Sequence, residues 1–118
     1  MTRLVLMLLT GCFCACAAHA QPTDARWPER PIRFIVPFTA GSSSDTVARL
    51  VAQKLGERLG QQLVVENRVG GGGSIGTDQV ARAEPDGYTL GLANTSTHAV
   101  AASATTISYD PVKDFAPV

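Results

Sequence analysis

The fold is decided by one stretch: Ile32-Arg33-Phe34-Ile35-Val36-Pro37-Phe38, then Thr39-Ala40-Gly41-Ser42-Ser43-Ser44, then Asp45 through Leu59. Its opening is a nearly continuous apolar run, as in a parallel strand covered on both faces. Pro37 has no N–H, so ladder pairing should weaken there. Small and polar residues follow and open a helix from Asp45 to Leu59. Val47, Leu50, Val51, Leu55 and Leu59 recur at steps of three and four and predict its buried face, with Arg49, Gln53 and Glu57 opposite. Ser42 to Ser44 offer capping hydroxyls, Asp45 puts a negative charge in the first turn, and Gly60 suits the exit. A strand that stops at such a loop and feeds a helix leaves backbone N–H groups without intrahelical partners. Those donors and the helix dipole favour an anion. Capping alone explains the serines equally well.

Outward from this unit the pattern repeats. Leu63 to Glu66 reads as a second strand, 67–74 as a glycine-rich loop, and Ile75 to Ala83 as a second helix weakened by Gly76. Pro85-Asp86-Gly87 is a turn. Tyr88 to Ala93 is a third strand, 94–98 a third polar loop, and the alanines to Ala104 a short helix. Strand, loop and helix in alternation predict an α/β fold, a parallel sheet with flanking helices. In such sheets ligands sit beyond the carboxyl ends of the strands. Three loops stand there: 39–45, 67–74 and 94–98.

The first twenty residues differ in kind. Arg3 is a short basic region, Leu4 to Ala18 is almost wholly apolar, and Ala18-His19-Ala20 suits cleavage after Ala20. This predicts a secretory signal peptide over 1–20 and a periplasmic destination. The apolar run is shorter than the ~20 residues that span a bilayer. Leu9-Thr10-Gly11-Cys12 also resembles a lipobox, which makes lipidation at Cys12 the alternative. All three cysteines, Cys12, Cys14 and Cys16, lie in this segment, so no disulfide framework is expected after residue 20. Residues 21–31 carry Pro22, Pro28 and Pro31 and read as an extended lead-in, with Trp27 packed on the domain edge. Residues 32–118 read as a partial N-terminal α/β domain.

Composition narrows the function. Apolar residues make up 45% and charged residues 17%, and formal net charge is zero. Nothing favours nucleic acid or an anionic membrane surface. Gly41-Ser42-Ser43-Ser44-Asp45 lacks the second glycine of a nucleophile elbow, which argues against a serine hydrolase. The Gly70–Gly73 run lacks the Gly-Lys-Ser/Thr ending of a phosphate loop and reads as a turn of close backbone approach. His98 is the lone histidine after the signal, and the carboxylates show no ligand spacing, so neither a metal nor a cofactor is expected. His98 could contact a ligand or cap the next helix. Arg68 could meet a ligand carboxylate, with a salt bridge the blander outcome.

Several motifs, in order, carry a resemblance. They are Trp27-Pro28-x-x-Pro31-Ile32-Arg33, Val36-Pro37-Phe38-x-Ala40-Gly41, Asp45-x-x-Ala48-Arg49 and Val65-Glu66-Asn67-Arg68 with its glycines and Ile75-Gly76. Pro85-Asp86-Gly87-Tyr88-Thr89-Leu90, Thr97-His98 and Tyr109-Asp110-Pro111-Val112-Lys113-Asp114-Phe115 complete the set. From Trp27 to Val118 the chain resembles the substrate-binding proteins of tripartite tricarboxylate transporters, the Bug family. The resemblance implies a type II periplasmic-binding-protein fold. Two α/β domains close on a small carboxylate (di- or tricarboxylate, acidic amino acid or aromatic acid), which passes to membrane transporter subunits. It implies a monomeric binding protein and no enzyme. A ligand-sensing partner of a membrane signalling receptor is the alternative. The loop after the first strand holds the carboxylate in that family, partly through ordered water. Matched here, this implicates Phe38, Thr39, Ala40, Gly41, Ser42, Ser43, Ser44 and Asp45, with Thr95, Ser96, Thr97 and His98 lining the cleft. The family usually has Pro where Thr39 stands and a second Gly where Ser42 stands, so a left-handed backbone at 42 would be in question. Family members are also much longer, and the second domain is expected to be absent from these residues.

Overall fold

The computed structural model describes residues 26–118; the expected signal peptide, its cleavage site and Cys12 lie outside them. Three parallel strands form the sheet: β1 (Ile32–Val36), β2 (Leu63–Asn67) and β3 (Thr89–Gly91). Their order is β2-β1-β3, with Phe34 opposite both Val65 and Leu90. The apolar run that begins the deciding stretch therefore sits in the middle of the sheet. Pairing ends where expected: the Val36 carbonyl accepts the Arg68 N–H at 2.9 Å, and Pro37 follows with no donor.

α1 (Ser43–Leu59) packs over β1 and β2, and α2 (Ser74–Ala81) over β1 and β3. Parallel crossovers are right-handed. A first crossover to one side of β1 and a second to the other therefore put these helices on opposite faces. Ile32, Phe34 and Val36 meet Ala48, Ala52 and Leu63 under α1, while the wholly buried Ile35 points to the other face.

The buried line of α1 differs from the expected one. Ala48 and Ala52 are buried with Leu55 and Leu59 packed beside them, whereas Val47, Leu50 and Val51 are 55%, 61% and 40% exposed. Two alanines bring the helix backbone close to Phe34 and Val36, and this rotates the larger residues outward. The helix begins at Ser43, two residues earlier than expected, because Ser42 is its cap. The Ser42 Oγ accepts the Asp45 N–H at 3.2 Å. It ends at Gly60 (φ +68°), whose N–H reaches the Gly56 carbonyl.

Two further differences concern the loops. Gly71–Gly73 forms a 3-10 turn leading directly into α2. Residues 94–98 are not a polar loop: a π-turn (Ser96–Val100) runs on into α3 (Ala101–Ala104). Asn94 caps it, its Oδ1 accepting the Thr97 N–H at 3.1 Å and its carbonyl the His98 N–H at 3.1 Å. Gly76 also has a packing reason. A Cβ there would stand 2.6 Å from the Arg68 carbonyl and 3.0 Å from Pro37, so the glycine lets α2 approach the end of β1.

The lead-in is pinned to the turn before β3. Trp27 stacks obliquely on Tyr88 at 6.2 Å, Arg30 covers the Tyr88 ring at 3.8 Å, and Arg30 pairs with Asp86 at 2.8 Å. Trp27 is half exposed at this edge.

Candidate functional site

Because the three strands run parallel, the segments leaving all three carboxyl ends share one edge. The strand order reverses at β1, which makes this edge the crevice where open α/β sheets bind ligands. An open depression of about 600 Å³ lies there. Pro37, Phe38 and Thr39 line it from β1, Val69 and Gly70–Gly73 from β2, and Ser96, Val100, Ala101, Ala104 and Thr105 from beyond β3. A second depression, about 690 Å³, runs along α1 and the edge strand β2, and Gln61, Gln62 and Leu63 at the opening of β2 line it. No segment leaving a strand's carboxyl end contributes to it.

The first loop is held rigidly from within. Asp45 is buried, and its carboxylate accepts the Gly41 N–H at 2.8 Å, Arg49 Nε at 2.9 Å and Asn67 Nδ2 at 2.9 Å. The Asn67 amide also donates to the Phe38 carbonyl at 2.9 Å, and Asn67 Oδ1 accepts from Arg49 Nη2 at 3.1 Å. The Arg49 hydrogen bond, then the Gly41 N–H and the Asn67 amide, hold the Asp45 carboxyl down to about 2. Asp45 is thus turned inward, its carboxylate taken up by these three donors. Position 42 raises no backbone conflict: Gly41 takes the left-handed conformation (φ +82°), and Ser42 is extended at φ −67°.

Of the residues singled out in the sequence, Phe38, Thr39 and Ser96 line the depression. Ala40, Gly41, Ser43 and Thr95 are exposed nearby in the chain, and Ser42 and Ser44 are half-buried. Thr97 is fully buried and hydrogen-bonded to Asn94, and its carbonyl accepts the Tyr109 hydroxyl at 2.6 Å. His98 turns away as well: Nδ1 meets the Thr97 hydroxyl at 2.8 Å, and the ring packs on Phe115 at 4.8 Å. Arg68 takes the salt bridge, its Nη2 meeting Glu66 at 2.9 Å beside the two-pronged Arg33–Glu66 pair. These two arginines, Arg33 foremost, hold the Glu66 carboxyl down to about 2.

What sequence reasoning missed is the glycine run as a wall of the depression. The signal was present, since four consecutive glycines admit backbone that other residues avoid. Gly73 has φ +100°, and a Cβ on it would meet Thr97 Cγ2 at 2.7 Å and Pro37 at 3.5 Å. The close approach expected of this turn is thus real, and it joins the second and third segments. Backbone N–H groups of Ser43, Ser44, Gly71, Gly72 and Ser96 have no hydrogen-bond partner among the described residues. The edge therefore offers amide donors and hydroxyls, with no arginine or lysine lining the depression.

Residues 47–118 match the tripartite tricarboxylate transporter family receptor. The chain is 46% identical over 121 aligned positions to Protein BugT of Bordetella pertussis, covering 100% of this chain and 36% of that protein. Among solved structures, MatC from Rhodopseudomonas palustris with bound malate is 41% identical with a TM-score of 0.74, over 77% of this chain and 31% of that one. Rpa4515 of R. palustris with adipate is 38% identical with a TM-score of 0.63, over 72% and 29%. The chain spans about a third of the length of these relatives.

Proposed function

The chain belongs to the tripartite tricarboxylate transporter receptor family, and from that premise we propose that it acts in an extracytoplasmic solute-binding protein that captures a small carboxylate and hands it to membrane transporter subunits. The family is one of periplasmic solute-binding proteins. The described α/β unit would be one lobe of a two-lobed, monomeric binder, closing on its ligand with a second lobe. A signal peptide over 1–20 would direct it to the periplasm.

The observation that carries this reading is the depression at the carboxyl edge of β1, bordered by unpartnered N–H groups and the hydroxyls of Thr39 and Ser96. Oriented amides of this kind bind carboxylates. Phe38 and Thr39 through Ser44 would present one side of the ligand site, and Thr95 and Ser96 the other. Asp45 would fix the first loop from behind. The malate and adipate held by the two solved relatives support a small carboxylate as cargo.

Isothermal titration calorimetry of the protein at its full encoded length tests this. Saturable binding of at least one small mono- or dicarboxylate is expected. Folded protein that binds none across a panel of such acids would overturn the reading.

A further inference from the structure

The first loop carries a buried charge whose sign opposes the anion it would hold. Asp45 is buried in the first turn of α1, next in the chain to Ser44, whose N–H has no hydrogen-bond partner among the described residues. Its carboxyl is held down to about 2, so it is ionised at neutral pH. The N-terminal end of a helix acts on an anion like roughly half a positive charge. A full negative charge at that end outweighs it. Arg49 reverses the balance. Its Nε meets the Asp45 carboxylate at 2.9 Å from one turn further along α1, and its Nη2 reaches Asn67 Oδ1 at 3.1 Å. The Arg33–Glu66 pair lies on the other face of the sheet, that of Ile35. If Arg49 were removed, the Gly41 N–H and the Asn67 amide would still favour the ionised carboxylate. The charge would then stay and lose its counterion.

We propose that Arg49 is a positioning residue of the carboxylate site: it acts through Asp45, cancelling the buried charge so that the loop amides and the helix end attract an anionic ligand. The proposal rests on the carboxylate-binding reading above and adds the residue that sets the sign of the field there. A second lobe closing on the ligand leaves this balance in place, since both charges belong to α1. Two unit charges several ångström apart near a protein surface interact strongly enough to change an affinity by about tenfold or more.

Calorimetry on the full-length protein uses the tightest binder among malate, adipate, benzoate and citrate, with each variant's fold confirmed by circular dichroism. Arg49→Gln is expected to bind that acid at least roughly tenfold more weakly than the wild type, and Arg49→Lys, which keeps the charge, within about threefold of it. The Asp45→Asn/Arg49→Gln double variant should bind several-fold tighter than Arg49→Gln. A purely structural role predicts the opposite, because a neutral amide holds the Gly41 N–H less strongly than a carboxylate does. Arg49→Gln binding like the wild type, Arg49→Lys falling as far as Arg49→Gln, or a double variant no tighter than Arg49→Gln each overturns the proposal and leaves the carboxylate-binding reading intact. Where Arg49→Gln fails to fold, Arg49→Lys decides alone: an affinity within about threefold of the wild type supports the role, and a larger loss overturns it. Wild-type protein that binds none of the four acids overturns the proposal, and extension of that absence to a broad acid panel overturns the underlying reading as well.

Discussion

Asn67, the last residue of β2, donates its side-chain amide to the Asp45 carboxylate at 2.9 Å, tying the end of one strand to the start of the helix that follows another. The same amide reaches the Phe38 carbonyl, so one side chain fixes both sides of the loop between β1 and α1. Asn67→Ala removes these bonds and leaves the charged Asp45 and the Phe38 carbonyl short of a donor. A loss of about 1–3 kcal/mol is expected from urea unfolding. A change within about 0.5 kcal/mol, typical of an inert surface site, would show that the loop holds itself without Asn67.

Ser42 distinguishes capping from backbone conformation. Its extended φ of −67° suits any residue, and its Oγ holds the Asp45 N–H. Ser42→Ala should cost about 1 kcal/mol, and Ser42→Gly only a few tenths. Chemical denaturation of both variants reads the difference. A stabilising Ser42→Gly would mean that position 42 prefers a left-handed backbone after all.

The segment after α3 is held by Tyr109, buried at 6% exposure, whose hydroxyl donates to the Thr97 carbonyl and whose ring meets Phe115 edge-on at 5.8 Å. Tyr109→Phe keeps the ring and removes the bond. The expected cost is about 1 kcal/mol, with amide exchange quickened at Ser96 to Val100. If exchange there stays at the wild-type rate, the π-turn owes nothing to this bond.

Much of this was legible in the sequence, and the failures have physical causes. The apolar run at Ile32 to Val36 announced a central strand, and Pro37 marked its end. Gly60 marked the exit of α1. Periodicity misplaces the buried face of α1 because it weights large apolar residues, while Ala48 and Ala52 are buried for being small. Residues 94–98 looked like a loop by composition, although Asn94 and Thr97 have the spacing of a cap bond. The depression was not legible from any single stretch. It assembles from segments after three strands, which parallel pairing in the order β2-β1-β3 brings together.

The glycine wall separates two costs. Gly72 has φ +65° and open space within 4 Å of where a Cβ would stand, while Gly73 has φ +100° and a Cβ there would collide with Thr97 Cγ2. Gly72→Ala should therefore carry only the left-handed penalty, about 1–2 kcal/mol. Gly73→Ala adds an overpacking cost of about 1–3 kcal/mol. Paired unfolding curves test the ranking; equal losses would mean that Thr97 yields freely.

Acid should weaken the fold through Asp45 and Glu66. Both carboxyls sit at about 2 in the folded chain, Asp45 chiefly through Arg49 and Glu66 chiefly through Arg33. Their ordinary values lie near about 4. Folded values below unfolded ones mean that the unfolded chain binds more protons between about pH 2 and 4, so stability rises with pH across that window. Their contribution is complete above about pH 5 and is lost as pH falls toward about 2. Asp78, lowered by Arg82, and Asp110, lowered by the Val112 and Lys113 N–H groups, act in the same direction. Melting temperature should therefore be level above about pH 5 and drop steeply below about pH 4. Glu66→Gln, which keeps the shape and removes the titration, should melt lower at neutral pH and lose less on acidification. A Glu66→Gln profile parallel to the wild type through the acid range would show that the Arg33–Glu66–Arg68 cluster is not a source of the pH dependence.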